Sequence, residues 1–159
     1  MPITETSSRR SPAPLIPALA SIERALAPLA EPMLRAAAGL FLVPHGAQKL
    51  FGWFGGHGLE ATGQAFATKL GLPPVLALVA GLIEFFGGLM LAVGLLTRPV
   101  AALVVGLMTV AAVQVHWPNG FFWSAGGVEY PLLWGIVALY FVLRGGGEMS
   151  VDRLIGREI

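Results

Sequence analysis

Pro74-Val-Leu-Ala-Leu-Val-Ala-Gly-Leu-Ile-Glu84-Phe-Phe-Gly-Gly-Leu-Met-Leu-Ala-Val-Gly-Leu-Leu96 carries a single charge, at Glu84, in a run otherwise without polar side chains. About 20 apolar residues cross a hydrocarbon core of ~30 Å as a helix, because each backbone N–H and C=O must find its partner within the segment. The run therefore reads as a membrane-spanning helix with a carboxyl group near its middle. Placing a carboxylate there costs about 2.5–3.5 kcal/mol on insertion scales, and such groups usually face a bundle interior and a partner. Glu84 is the first functional candidate.

Three further segments have the same character, at 33–53, 99–117 and 129–144. Pro73-Pro74 and Pro99 stand at the starts of segments 74–96 and 99–117, and Pro131 lies in the first turn of 129–144. Proline is tolerated there because the first-turn N–H groups have no intrahelical partner. Only Thr97-Arg98 joins the second segment to the third, which makes them antiparallel neighbours. The 159 residues are 55% hydrophobic and 12% charged, against about 25% charged in soluble domains, and mean hydropathy is +0.74. The fold class that follows is all-α, an integral membrane four-helix bundle over residues 32–145. Residues 1–31, rich in Pro, Ser and Ala, read as a disordered or surface-helical cytosolic tail, with a short helix at Ala18–Ala30. Ser-Pro-Ala-Pro after Arg9-Arg10 breaks the apolar run that a signal peptide needs. Residues 146–159 read as a short cytosolic tail.

Basic residues set the orientation. Arg9, Arg10, Arg24, Arg35, Arg98, Arg144, Arg153 and Arg157 fall on one side, and Lys49 and Lys69 on the other. Both termini are thus expected in the cytoplasm of a multi-pass membrane protein. The chain has no cysteine, which excludes disulfides, thiol relays and cysteine-ligated iron–sulfur clusters. A net charge of +1 gives no ground for nucleic-acid binding. The lipid bilayer is the partner that composition names.

A rise of ~1.5 Å per residue puts His45 about 3 Å and Lys49 about 9 Å to the outer side of the first helix's midpoint. The same rise puts Gln114 and His116 about 9–12 Å outward in the third helix, and Glu129 opens the fourth on that face. His45, Gln48 and Lys49 share one surface of the first helix. Glu84 lies near Gly81 and Gly88 on its helix wheel, so it is expected to face another helix. The inner half reads as almost purely apolar, with Arg35 snorkelling to the headgroups. Trp53, Trp117, Trp123 and Tyr130 suit an interfacial belt or a cap over a pocket. Two readings of the polar cluster stay open. One is a structural clasp of Glu84 with Lys49 or His45. The other is a pocket in the outer half where His45 and Glu84 handle protons and Lys49 or Gln48 binds an oxygen. His45, His57 and His116 form no spaced metal motif, and the ~9 Å depth difference between His45 and His116 disfavours a shared haem.

The run Arg35-Ala-Ala-Ala-Gly-Leu-Phe-Leu-Val-Pro-His45-Gly-Ala-Gln48-Lys49-Leu resembles the first helix of DoxX-type membrane proteins. Glu84-Phe-Phe-Gly-Gly-Leu-Met-Leu-Ala-Val-Gly-Leu-Leu-Thr97-Arg98 resembles their second, and Gly-Gly-Val-Glu129-Tyr130-Pro the start of their fourth. The resemblance implies a four-helix bacterial inner-membrane protein, described as an oxidoreductase subunit and related to the small subunit of a thiosulfate:quinone oxidoreductase. Matched positions carried over are His45, Gln48, Lys49, Glu84 and Glu129. The expected activity is quinone-linked, with Glu84 and His45 as catalytic candidates and Lys49, Gln48, Gln114, His116 and Glu129 as cofactor-binding ones. A quinone is the expected cofactor, with no metal. Nothing in the sequence carries electrons from a soluble donor, so a partner subunit is implied, and a homo-oligomer stays open. A non-enzymatic scaffold and a small proton-coupled transporter are the competing functions.

Overall fold

The computed structural model describes residues 16–157; the part of the N-terminal tail before residue 16 lies outside the described residues. Contacts divide the chain into two units, Met1–Ala30 and Glu31–Ile159. In the first, a 3-10 turn at Pro17–Leu19 leads into helix. The described residues are 80% helical, with no strand among them. Helix α1 is Ala20–Phe51 and α2 is Gly58–Leu70. Helix α3 is Val75–Val93 and α4 is Thr97–Asn119. Helix α5 is Glu129–Arg144, and one short turn, α6, is Val151–Leu154. The helical run containing α1, together with α3 and α4, is long and apolar enough to cross a membrane. Helix α5, at 16 residues, spans about 24 Å, short of a ~30 Å core.

Small residues let the helices of the second unit approach closely. A Cβ at Gly39 of α1 would collide with the Gly88 carbonyl of α3, and one at Gly46 would collide with the Phe85 backbone nitrogen. Glycines seven residues apart on each helix thus form one seam, Gly39 and Gly46 against Gly88 and Gly81. In lipid such seams hold by dispersion and shape, since the surroundings are as apolar as the interface. Buried side chains complete the core in two clusters. Ala38, Leu91, Val100, Ala101 and Phe141 form one; Leu42, Val104, Met108 and Ala138 form the other.

Two segments depart from α-helical pitch. Ile83–Gly87 in α3 and Ala111–His116 in α4 are π-helical turns. Each accommodates an extra residue in its helix and changes the phase of the side chains that follow, a device frequent at functional sites. Glu84 lies in the first turn and His116 in the second.

The half of the bundle around Arg35, expected to be almost purely apolar, holds buried polar side chains. Arg35 is 2% exposed, donating to the carbonyls of Gly146 and Met149, the latter at 2.6 Å. It does not reach outward to headgroups, because the chain after α5 folds back over it. Asp152, 3% exposed, accepts from the backbone N–H of Leu96 at 2.7 Å, from that of Thr97 at 2.8 Å and from the Thr97 hydroxyl at 2.7 Å. Leu96 holds a left-handed conformation, with φ 47°, and offers α4 no side-chain cap. A carboxylate 55 residues away along the chain therefore caps that helix. Burial works to raise the Asp152 pKa, but the bonds from Thr97 and Leu96 and the nearby Arg35 charge outweigh it and hold the value below the ordinary one.

Candidate functional site

A cleft of about 1110 Å³ opens among α1, α2, α3, α4 and α5. Its walls are mostly apolar, and its polar side chains are His45, Lys49, Lys69, Glu84, His116 and Tyr130. The helix phases explain why these residues meet. His45 and Lys49 lie one turn apart on α1, so both reach the same wall. Pro44, beside His45 in that wall, leaves the Leu40 carbonyl without its i+4 amide, loosening the helix locally. Glu84 enters from α3 between the glycines of the seam.

Lys49 and Glu84 form an ion pair across that seam. The Lys49 ammonium lies 2.6 Å from one carboxylate oxygen of Glu84 and 2.8 Å from the other. Glu84 is 6% exposed, and the Lys49 side chain is 24% exposed. An ammonium has three N–H donors, so Lys49 can bind both oxygens of Glu84 and direct another donor into the cleft. A pair of this kind adds little net stability over apolar side chains, since the cost of desolvating both charges offsets their attraction. Its better use is to hold a charged donor and a carboxylate at depth without leaving either uncompensated.

His116 reaches the cleft because the π turn advances the end of α4 by one residue. Its Nδ1 lies 2.6 Å from the Gly126 carbonyl oxygen. A carbonyl can only accept, so Nδ1 carries the proton and, in the neutral ring, Nε2 is left as an acceptor. The same loop is fixed from α5, where Glu129 accepts from the Trp123 backbone N–H at 3.0 Å. Trp123 stacks on Tyr130 at 5.6 Å between ring centroids, and Tyr130 lines the cleft. Trp53, Trp117 and Trp123 are exposed, as residues of an interfacial belt would be.

Of the side chains singled out from the sequence, His45, Lys49, Glu84 and His116 line this cleft. Gln48, Gln114 and Glu129 do not. Gln48 turns to the loop after α1 and donates to the Phe54 carbonyl at 3.1 Å, while Gly56 packs on its backbone. Gln114 is exposed, on a different face of the π turn from His116. Glu129 is committed to the loop amide. Lys69 of α2, with Phe41 and Trp134, lines the cleft without having been singled out. A cation at the end of an amphipathic helix was the only sequence signal for Lys69. Phe41 and Trp134 meet edge to face at 5.6 Å. Among the described residues, no three His, Asp or Glu side chains gather as a metal site.

Known proteins supply the context for this geometry. A Haemophilus influenzae protein named only "Uncharacterized protein" is 40% identical over 78 residues, 47% of this chain and 58% of the relative. A Bacillus subtilis protein named "Putative oxidoreductase CatD" is 28% identical over 123 residues, 77% of this chain and 84% of the relative. No solved structure matches the chain. The DoxX family profile matches residues 32–117, more than half of the chain and the part that holds both members of the buried ion pair, and with its apolar spanning helices this protein is a membrane protein of the DoxX family.

Proposed function

We propose that the protein is a four-helix, multi-pass subunit of a quinone-linked oxidoreductase complex in the bacterial inner membrane, with both termini cytoplasmic. One observation carries the reading: a mostly apolar cleft of about 1110 Å³ with the Lys49–Glu84 pair set into its wall. Ligand sites of this kind combine apolar walls with a few placed polar groups, in volumes of about 300–1,000 Å³. The residues fit a quinone, with the edge-to-face pair Phe41 and Trp134 as an aromatic wall for a ring and apolar side chains for a tail. The oxidoreductase name of the Bacillus subtilis relative supports the same class of chemistry. Helix α5 would span the bilayer with help from its flanking residues, and the basic residues would set the orientation.

A bound quinone would supply a two-electron, two-proton couple. Lys49 would donate a hydrogen bond to a ligand oxygen. Glu84 and His45 would hold or pass the accompanying protons, and Nε2 of His116 would accept from a ligand hydroxyl. Electrons would come from a partner subunit, because this chain has no cysteine and no clustered metal ligands among its described residues.

Lipid extraction and mass spectrometry of protein purified in lipid-retaining detergent test the proposal. Stoichiometric quinone in the wild type, lost in Glu84→Gln and Lys49→Ala at equal folding, is the expected result. Absence of quinone from every sample would overturn it. Protein-partner capture without quinone would then favour a scaffold, and proton-linked flux in vesicles a transporter.

A further inference from the structure

The charge inside the cleft does not cancel. Glu84 is the only carboxylate among the lining residues, and Lys49 neutralises it at 2.6 and 2.8 Å. Lys69 lines the same cleft from the last turn of α2, and no carboxylate pairs with it among the described residues. His45 and His116, the remaining titratable groups in the wall apart from Tyr130, are neutral or positive but never negative. The lining therefore carries a net positive charge, located at Lys69, over mostly apolar walls.

We propose that Lys69 is a specificity-determining residue, making the cleft prefer amphiphiles with an anionic oxygen over neutral ones of the same shape. The inference rests on the quinone reading for the type of ring and goes beyond it in naming charge. Lys69 suits this role better than Lys49. The Lys49 charge is already matched, so an added anion there would compete with Glu84, whereas Lys69 has no internal rival. Its four-carbon stem can lie along the apolar wall while the ammonium stays near the more polar boundary. The apolar wall beside it favours pairing with an anion, while the exposure of Lys69 keeps the attraction modest. The shared chemistry is an anionic oxygen on an apolar body, which an acidic hydroxyl on a quinone ring or a fatty-acid carboxylate could both supply.

The test uses the full chain in nanodiscs of neutral phosphatidylcholine and three probes. These are 1,4-naphthoquinone, its acidic 2-hydroxy derivative and dodecanoate, with affinity read by quenching of intrinsic tryptophan fluorescence. Each is measured on wild type, Lys69→Gln and Lys69→Arg, and Lys69 is exposed, so both variants should fold. The expected result is binding of the hydroxy derivative about two- to fivefold tighter than the neutral quinone, in line with charge pairing at an exposed ammonium. Lys69→Gln should abolish the preference and Lys69→Arg should keep it. Equal binding of the two naphthoquinones in wild type would overturn the role of Lys69 and leave the quinone reading standing. Lys69-dependent binding of dodecanoate alone would keep the anion preference and overturn the quinone reading. No binding of any probe would overturn both.

Discussion

The Lys49–Glu84 pair allows a double-mutant cycle whose ordering follows from geometry. Lys49→Met removes the cation 2.6 Å from a carboxylate that is 6% exposed. Stranding one member of a buried pair costs about 3–5 kcal/mol in soluble proteins, while replacing both by apolar side chains is often neutral or stabilising. Lys49 keeps 24% of its side chain exposed, so Glu84→Leu should cost less than Lys49→Met, about 1–2 kcal/mol, because the freed ammonium can turn toward solvent or headgroups. The double variant Lys49→Met/Glu84→Leu should lie within about 1 kcal/mol of wild type, giving a coupling of about 3 kcal/mol or more between the positions. The assay is equilibrium unfolding in mixed micelles, followed by helical ellipticity, with all four proteins in one detergent. If the double variant is as unstable as the two single losses added together, the side chains do not act as a pair and the argument from their geometry is refuted. A near-native double variant that has also lost bound quinone would separate function from stability in one protein.

Other perturbations test the scaffold around the site. Gly46→Val should destabilise by at least about 2–3 kcal/mol or prevent folding, since a Cβ at this position already collides with the α3 backbone; a thermal melt near wild type would show that the helices can part there. Asp152→Asn should cost about 1–3 kcal/mol near neutrality, by weakening the charge-assisted cap on Leu96 and Thr97. Because the Asp152 pKa is held low, its ionised form stabilises fully above the ordinary Asp value of about 3.9, and that contribution is lost as pH falls through the lower folded value. Unfolding measured between pH 7 and 3 should therefore show a shallower acid loss in Asp152→Asn than in wild type, and identical slopes would remove the carboxylate from the account. Gln48→Leu should leave bound quinone unchanged, because its amide serves Phe54 and not the cleft; loss of quinone at equal folding would return Gln48 to the site.

Much of the arrangement could be read from the residues because membrane helices obey few rules. Hydropathy located the apolar runs of α3 and α4, whereas α1 begins at Ala20 and not near residue 33, and the spacing of Gly81, Glu84 and Gly88 turned the carboxylate toward a neighbouring helix. Depth and face left Lys49 and His45 both open as its partner, and the contact in the structure is with Lys49. What sequence could not show depends on contacts far apart in the chain. Arg35 looked like a snorkelling residue because its acceptors are the backbone carbonyls of Gly146 and Met149, and a carbonyl leaves no signature in residue type. Asp152 looked like a tail charge for the same reason, its partners being mainly backbone N–H groups in a turn with no cap of its own.

The π turns were invisible for a different reason, and they bear most directly on the site. A regular wheel of 100° per residue places every later side chain of a helix, so one inserted residue rotates all that follow. Gln114 and His116 were both expected at the site by depth, but only His116 lines the cleft, at the end of the π turn Ala111–His116. Glu84 sits in the other such turn, between small residues that allow α1 close. Depth, which depends on rise per residue, survives the irregularity; facing, which depends on phase, does not. The facing of Glu84 toward another helix was accessible to sequence reasoning because Glu84 lies at the beginning of its π turn, before the phase shift accumulates. The facing of Gln114 and His116, inside the second turn, required the structure.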